Sequence, residues 1–305
     1  MNDEAALLIS TLQNGYHFRD LSLARESPML IGTERGLKRI RFWGDERLLR
    51  QHMDWRRQLL SSRYFIDRMY VTVSGSPFIR FGRFAVTCHD APLGKAELSG
   101  YEEDWAEVIA SLVMKSRGAV SEPEGISALA RAEAVYEQAE KSGAFNGPAG
   151  KMARLCYPEV RERAYQSDML RSRHTPRGRQ FILPEDFSFR QSKALLETLF
   201  VEIGQCGAVS GYTELADFFL GSAMHEGEGC LHRLFCRMKE KGVPDRQTAD
   251  LLQAAWYEPR EWFSLAASMF RDEGASEQNT DGFKKIWDQK TRIISLFQSV
   301  YAETG

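Results

Sequence analysis

The side chains that could carry chemistry are few, and their spacing is uninformative. The six histidines are His17, His52, His89, His174, His225 and His232, and no two stand in a His-x-x-x-His or similar pattern that would turn two imidazoles toward one metal from a helix face. Cys88-His89-Asp90 sets a thiol, a base and a carboxylate side by side. Nucleophilic triads are assembled in space, so three consecutive residues are a weak candidate. Neither a Gly-x-Ser-x-Gly elbow nor a Walker-type glycine loop occurs. The cysteines, Cys88, Cys156, Cys206, Cys230 and Cys236, are odd in number and irregular, with no Cys-x-x-Cys pair, so reduced thiols are expected rather than a disulfide framework or a zinc site.

One stretch is strongly basic. Between Arg35 and Arg68 there are ten Lys/Arg against four Asp/Glu, with Trp43 and Trp55 interleaved. Two readings apply: a face for phosphate or an acidic partner, or a solvated helix face with arginine stems lying over apolar neighbours. The whole chain argues against a general nucleic-acid binder, because its 40 basic and 42 acidic residues leave a net charge of −2. No apolar run approaches the roughly 18 residues of a spanning helix, and Asp3 and Glu4 stand where a secretory signal would be basic. A cytosolic chain without membrane or nucleic-acid partners is the expectation.

The elements that must position any site change in character along the chain. Ser27–Gly32 and Leu37–Phe42 flank turn residues and predict a hairpin. Asp45–Ser62 predicts a helix, with Leu48, Leu49, His52, Trp55, Leu59 and Leu60 at helical spacing. Strands are expected at Met69–Val73, Pro77–Arg80 and Arg83–Cys88. Helices follow over Ala106–Ser116, Ile126–Lys141 and Lys151–Ser172. Short strands are expected at Phe181–Pro184 and Leu199–Ile203. Beyond Gly211 the periodicity is helical: Thr213–Met224, Cys230–Lys241, Thr248–Tyr257, Trp262–Phe270 and Gly282–Tyr301. Trp256, Trp262, Phe263, Phe270, Trp287 and Phe297 are core candidates.

The order of segments resembles the spore coat proteins related to aminoglycoside phosphotransferases and choline kinases. "PMLIGTERGLKRIRFWGDERLLRQH" is similar to their N-terminal hairpin, lysine and following helix, and "YVTVSGSPFIRFGRFAVTCHDAPLG" to the remaining strands and hinge. "EDWAEVIASLVMKSRGA", "YTELADFFLG" and "LLQAAWYEPREWFSLAASMF" resemble helices of the larger lobe. The resemblance spans nearly the whole chain. It implies an α+β, bilobal protein-kinase-like fold, with a small antiparallel β N-lobe over residues 1–92 and a larger, mainly helical C-lobe over 93–305. It also implies ATP and Mg²⁺ as cofactors if the chain is active.

Residue by residue, the resemblance puts Asp186 of "ILPEDFSFRQ" on the catalytic aspartate, with Pro184 and Glu185 in place of the usual histidine and glycine. Gln191 falls on a metal-binding asparagine, and Glu202 and Gly204 fall on the Asp-x-Asp metal pair. Lys38 and its partner Glu46 fall on the nucleotide site. Proline fixes φ and removes an amide donor, Gln191 and Glu202 each carry an extra methylene, and Gly204 carries no ligand. Mg²⁺ demands near-ideal octahedral geometry, and a misplacement of about 1 Å can cost a hundredfold in rate. Two functions are therefore implied. One is a catalytically degraded kinase-like protein, a pseudokinase, serving as a structural or interaction component. It would be made in the cytoplasm of a spore-forming bacterium and carried on the spore coat with other coat proteins. The alternative is an active ATP-dependent phosphotransferase using Asp186 and Glu202 with an altered metal site and a small-molecule acceptor.

Overall fold

The computed structural model describes residues 3–115, 126–174, 183–184, 193–205, 208–270 and 277–301. The chain divides into two compact units, the first running to Glu97 and including Pro184–Ala208, the second comprising Leu98–Leu183 and the rest from Val209.

The first unit begins with helix α1 (Asp3–Tyr16), whose Leu8, Leu12 and Tyr16 recur every four residues and are buried. Strands β1 (Ser22–Arg25), β2 (Leu30–Thr33) and β3 (Gly36–Trp43) lead into helix α2 (Glu46–Gln58). Strands β4 (Tyr64–Ile66), β5 (Ile79–Phe81) and β6 (Phe84–Asp90) follow. The main sheet has the order β1-β2-β3-β6-β5, with every pairing antiparallel. The β2–β3 hairpin closes where expected: Gly36 adopts a left-handed φ of 83°, and the Thr33 hydroxyl donates to the Gly36 carbonyl at 2.8 Å. Asp45 caps α2 by accepting from the Arg47 amide at 2.8 Å.

Helix α1 adds an element ahead of the expected strands, and one expectation for this unit is corrected. Met69–Val73 is not a strand. Its start lies along the end of β6, with Met69 bridging His89, the Tyr70 amide donating to the Cys88 carbonyl at 2.8 Å and the Asp90 amide to the Arg68 carbonyl at 2.9 Å. The Thr72 and Val73 amides then turn to Ser76 and Gly15 instead of to a strand.

After a short strand β7 (Leu183–Pro184) come β8 (Lys193–Leu195), β9 (Thr198–Val201) and the two-residue β10 (Ala208–Val209). Strand β9 pairs in parallel with β4 and antiparallel with β8. That ladder ties the 193–205 segment to the first unit, although sequence order sets it among C-lobe elements.

The second unit is helical: α3 (Glu102–Lys115), α4 (Ala128–Ser142), a single 3₁₀ turn at Ala144–Asn146, α5 (Pro148–Ser172), α6 (Tyr212–Glu226), α7 (Glu228–Glu240), α8 (Arg246–Tyr257), α9 (Arg260–Met269) and α10 (Glu277–Tyr301). Asp168 of α5 receives the Ala128 and Leu129 amides at 2.9 and 3.0 Å and so satisfies the exposed start of α4. Trp256, Trp262 and Phe297 are buried as expected, whereas Phe270 is exposed at the end of α9. Among the described residues, no helix is long and apolar enough to cross a membrane.

Candidate functional site

Alternation along β3 sorts its charged residues onto two faces. On one face, Lys38 stands with Ile40 opposite Asp90 and Cys88 of β6, and α1 covers Ile40 and Cys88. The Lys38 ammonium is buried. It donates to Asp90 at 2.6 Å and to the Arg35 carbonyl at 2.5 Å, and lies 4.8 Å from the Tyr70 ring. The Tyr70 hydroxyl donates to the same Asp90 oxygen at 3.0 Å. Burial alone would lower the Lys38 pKa, but the Asp90 and Tyr70 contacts outweigh it and raise the value. The ammonium is thus enclosed, with Asp90 as its counter-charge.

Glu46 is not its partner. It sits on the first turn of α2, on the other side of the sheet, and pairs with the Arg80 guanidinium near the surface. The separation follows from strand geometry: α2 meets the Trp43 face through Leu49 and Ala85, and Lys38 projects away from it.

The face toward α2 carries Arg39, Arg41 and Trp43. Arg39 Nη1 lies 2.5 Å from Glu202 Oε2, and Lys193 Nζ lies 3.3 Å from Glu202 Oε1. Arg41 reaches Asp67 Oδ2 at 2.9 Å and also donates to the Ile203 carbonyl. His52 Nδ1 lies 3.3 Å from the Gly204 carbonyl, and Gln205 donates to the Phe42 carbonyl at 2.9 Å. The Glu202–Gln205 segment is thus held through backbone and side chain by β3 and α2.

Asp67 is the hub behind this arrangement. It has a left-handed φ of 42° and donates its amide to Val201 at 2.8 Å. Its carboxylate meets Arg41, His89 Nδ1 at 2.9 Å and His52 Nε2 at 3.5 Å, while Arg56 donates to its carbonyl at 2.7 Å. Burial would raise the Asp67 pKa, but Arg41 and then His89 hold it well below the usual carboxylate range. Burial pushes His52 down to about 3 and lowers His89 as well, so both imidazoles are neutral.

His52, Asp67 and His89 bring ligand atoms within 4.8 Å of one another, an arrangement that would suit a transition metal. The charge balance argues otherwise. Arg39, Arg41, Arg56 and Lys193 already outnumber Asp67 and Glu202 here, and Arg41 occupies the carboxylate that a metal would need. A divalent ion would add two charges to a buried excess of cations. The trio positions the backbone instead.

Among the described residues, those expected at the metal site do not fit Mg²⁺. Both oxygens of Glu202 face cations, and Gly204 offers only a carbonyl that His52 contacts. Asp186 and Gln191 lie outside the described residues, as does Glu185. Cys88 and His89 project to opposite faces of β6, so Cys88-His89-Asp90 is not a triad, and burial raises the Cys88 thiol pKa. Cys88, Cys156, Cys230 and Cys236 are free thiols, and Cys206 lies outside the described residues.

Sequence reasoning missed Arg39, Arg41, Asp67, Asp90 and Lys193 as parts of this assembly. The available signal was β3 itself, a "KRIRFW" run with charge on both faces of a central strand.

No protein-family model matches the chain, and no curated protein matches it in sequence. Solved structures do match in fold. An aminoglycoside phosphotransferase from Alicyclobacillus acidocaldarius superposes with a TM-score of 0.68 at 13% identity, covering 96% of each chain. A spectinomycin phosphotransferase solved with ADP and spectinomycin superposes at 0.52 with 10% identity, over 97% of this chain and 98% of that one. The same enzyme bound to AMP gives 0.53 at 11% identity. The fold is that of the kinase-like phosphotransferases, α+β with a five-stranded antiparallel sheet in one unit and helices in the other.

Proposed function

We propose that this chain is a kinase-fold protein without efficient phosphoryl transfer, serving as an interaction component. One observation carries the reading: Glu202, which the sequence resemblance puts at the metal position, is buried with each oxygen against a cation, Arg39 and Lys193. Phosphoryl transfer depends on positioned metal charge, and a carboxylate already neutralised supplies little of it. Lys38, sealed against Asp90, offers no free ammonium for a phosphate. The spore-coat setting and coat-protein partners rest on the sequence resemblance alone. Extraction of the coat from spores of the source organism tests them, and absence of the chain from that fraction removes this part of the proposal.

The test of the main reading is thermal unfolding with ATP, with and without excess Mg²⁺, on the native chain and on Glu202→Gln. Ligand at about a hundred times its dissociation constant would add about 2.7 kcal/mol to stability. The expected result is no Mg²⁺-dependent shift. A shift present in the native chain and lost in Glu202→Gln would instead favour an active phosphotransferase with an altered metal site.

A further inference from the structure

The basic stretch Arg35–Arg68 is only partly consumed by the network described above. Arg39, Arg41 and Arg56 turn inward, whereas Arg57 stays exposed in a pair with Asp54 at 3.1 Å, and Arg68 is half-exposed with one nitrogen 3.5 Å from Asp90. These last two flank an open groove of about 470 Å³ between the C-terminal half of α2, strand β4 and the Arg68–Pro77 segment. Its apolar lining comes from Met53, Leu60, Phe65, Met69, Val71 and Pro77. Leu60 and Val71 are 76% and 63% exposed. The Arg68 guanidinium lies 5.4 Å over the Phe65 ring. Among the described residues that line the groove, none is acidic.

Neither pairing on the rim neutralises it: the Arg57–Asp54 contact is exposed and screened by water, and Asp90 is shared with Lys38, so the rim keeps a net positive character. Grouped exposed apolar side chains mark interaction sites, and a net positive rim attracts carboxylates. A second copy of the chain is disfavoured, because a two-fold contact through this patch would set Arg57 and Arg68 against like charges. We propose that this groove docks an acidic segment of a partner protein, its apolar side chains entering between α2 and the Arg68–Pro77 segment and its carboxylates meeting Arg57 and Arg68. This inference rests on reading the chain as an interaction component, but its test reads peptide binding rather than nucleotide. Nucleotide binding with peptide binding intact would overturn only the degraded-kinase reading.

The experiment is fluorescence anisotropy on the full chain with a labelled helical peptide of about 14 residues, Leu at positions i, i+3, i+7 and i+10 and Glu elsewhere. A control peptide carries Lys in place of Glu. The Glu peptide is expected to bind and the Lys peptide not. Leu60→Asp and Arg57→Glu should each weaken binding by at least about tenfold. Leu155→Asp, an equally exposed site on α5, should leave it unchanged. Both test positions are exposed, so the fold should survive, which unchanged circular dichroism would verify. Absence of binding, equal binding of the Lys peptide, or indifference to both variants overturns the proposal. Self-association in sedimentation velocity that Leu60→Asp abolishes would also overturn it, by assigning the groove to a second copy.

Discussion

Arg39 and Glu202 stand 163 residues apart in sequence and 2.5 Å apart in the fold. Their contact joins β3 to the end of β9, and with Lys193 on the other oxygen it leaves the Glu202 carboxylate enclosed by cations. Lys38, one residue earlier, points to the opposite face and pairs with Asp90. The strand's two-residue period therefore sends these two neighbouring cations to different carboxylates on opposite faces.

Glu202→Gln should destabilise the chain. It removes the charge between Arg39 and Lys193, leaving two cations facing each other over a neutral amide. Breaking a fully buried pair costs about 3–5 kcal/mol, but Arg39 and Lys193 retain 18% and 20% side-chain exposure, which lowers the expectation to about 2–3 kcal/mol. Urea unfolding at pH 7 reads it directly. A loss below about 0.5 kcal/mol would mean that water already screens the pair.

Acid should weaken the fold in two stages. His52 and His89 have pKa values lowered by burial, to about 3 for His52, so they stay neutral in the folded state while their unfolded counterparts protonate near pH 6.5. The unfolded state then binds more protons, and stability falls as pH drops below about 6.5, by up to about 1.4 kcal/mol per pH unit for His52, with His89 acting in the same direction. Asp67, held low chiefly by Arg41 against the opposing effect of burial, adds its loss only below about pH 4, where the unfolded carboxylate protonates. Unfolding midpoints measured from pH 8 to 5 should decline, and His52→Asn should flatten part of that slope. A native chain whose midpoint is flat over this range would contradict neutral buried imidazoles.

Much of the helical architecture was legible from periodicity, because helices such as α5 and α7 bury a stripe of residues three and four apart, whereas α3 is buried almost all round and reads as a continuous apolar run. The β2–β3 hairpin was legible from its turn residues. The site was not. His52, Asp67 and His89 come from α2, the residue after β4, and β6, and only the tertiary fold gathers them. Segment order suggested Lys38 with Glu46, whereas strand alternation sends Lys38 to Asp90 and Arg39 to Glu202. Val71 and Val73 read as strand residues from their β-branched side chains, yet they are exposed, because the Thr72 and Val73 amides turn away to Ser76 and Gly15 and leave the sheet after Tyr70.

The second unit holds its own buried ion pair. Lys290 Nζ lies 2.5 Å from Glu261 Oε2 and donates to the Glu258 carbonyl at 2.9 Å, with Arg163 3.8 Å from the other Glu261 oxygen. Burial is the main influence on Lys290 and lowers its pKa despite Glu261. Glu261→Gln strands a buried ammonium and should cost about 3–5 kcal/mol. The double variant Glu261→Leu/Lys290→Met removes both charges and should be more stable than the single one. A double-mutant cycle in urea checks the order, and additive losses would show that the pair contributes no coupling.

Two helical glycines should respond to alanine with opposite signs. Alanine is favoured over glycine by about 1 kcal/mol in a helix interior, so the outcome depends on what the added methyl meets. At Gly221 in α6 it meets nothing within 4 Å, and Gly221→Ala should stabilise by about 0.5–1 kcal/mol. At Gly150, in the first turn of α5, it runs into the backbone of Ala144 and Phe145. Those atoms belong to a tight 3₁₀ turn whose Phe145 ring is anchored in the α4–α5–α9 core, so they have little room to retreat. Gly150→Ala should therefore lose about 1–3 kcal/mol, overriding its propensity gain. Thermal midpoints of the two variants, measured side by side, should move in opposite directions. A Gly150→Ala chain as stable as Gly221→Ala would mean that the start of α5 shifts away from the turn without loss of core contact.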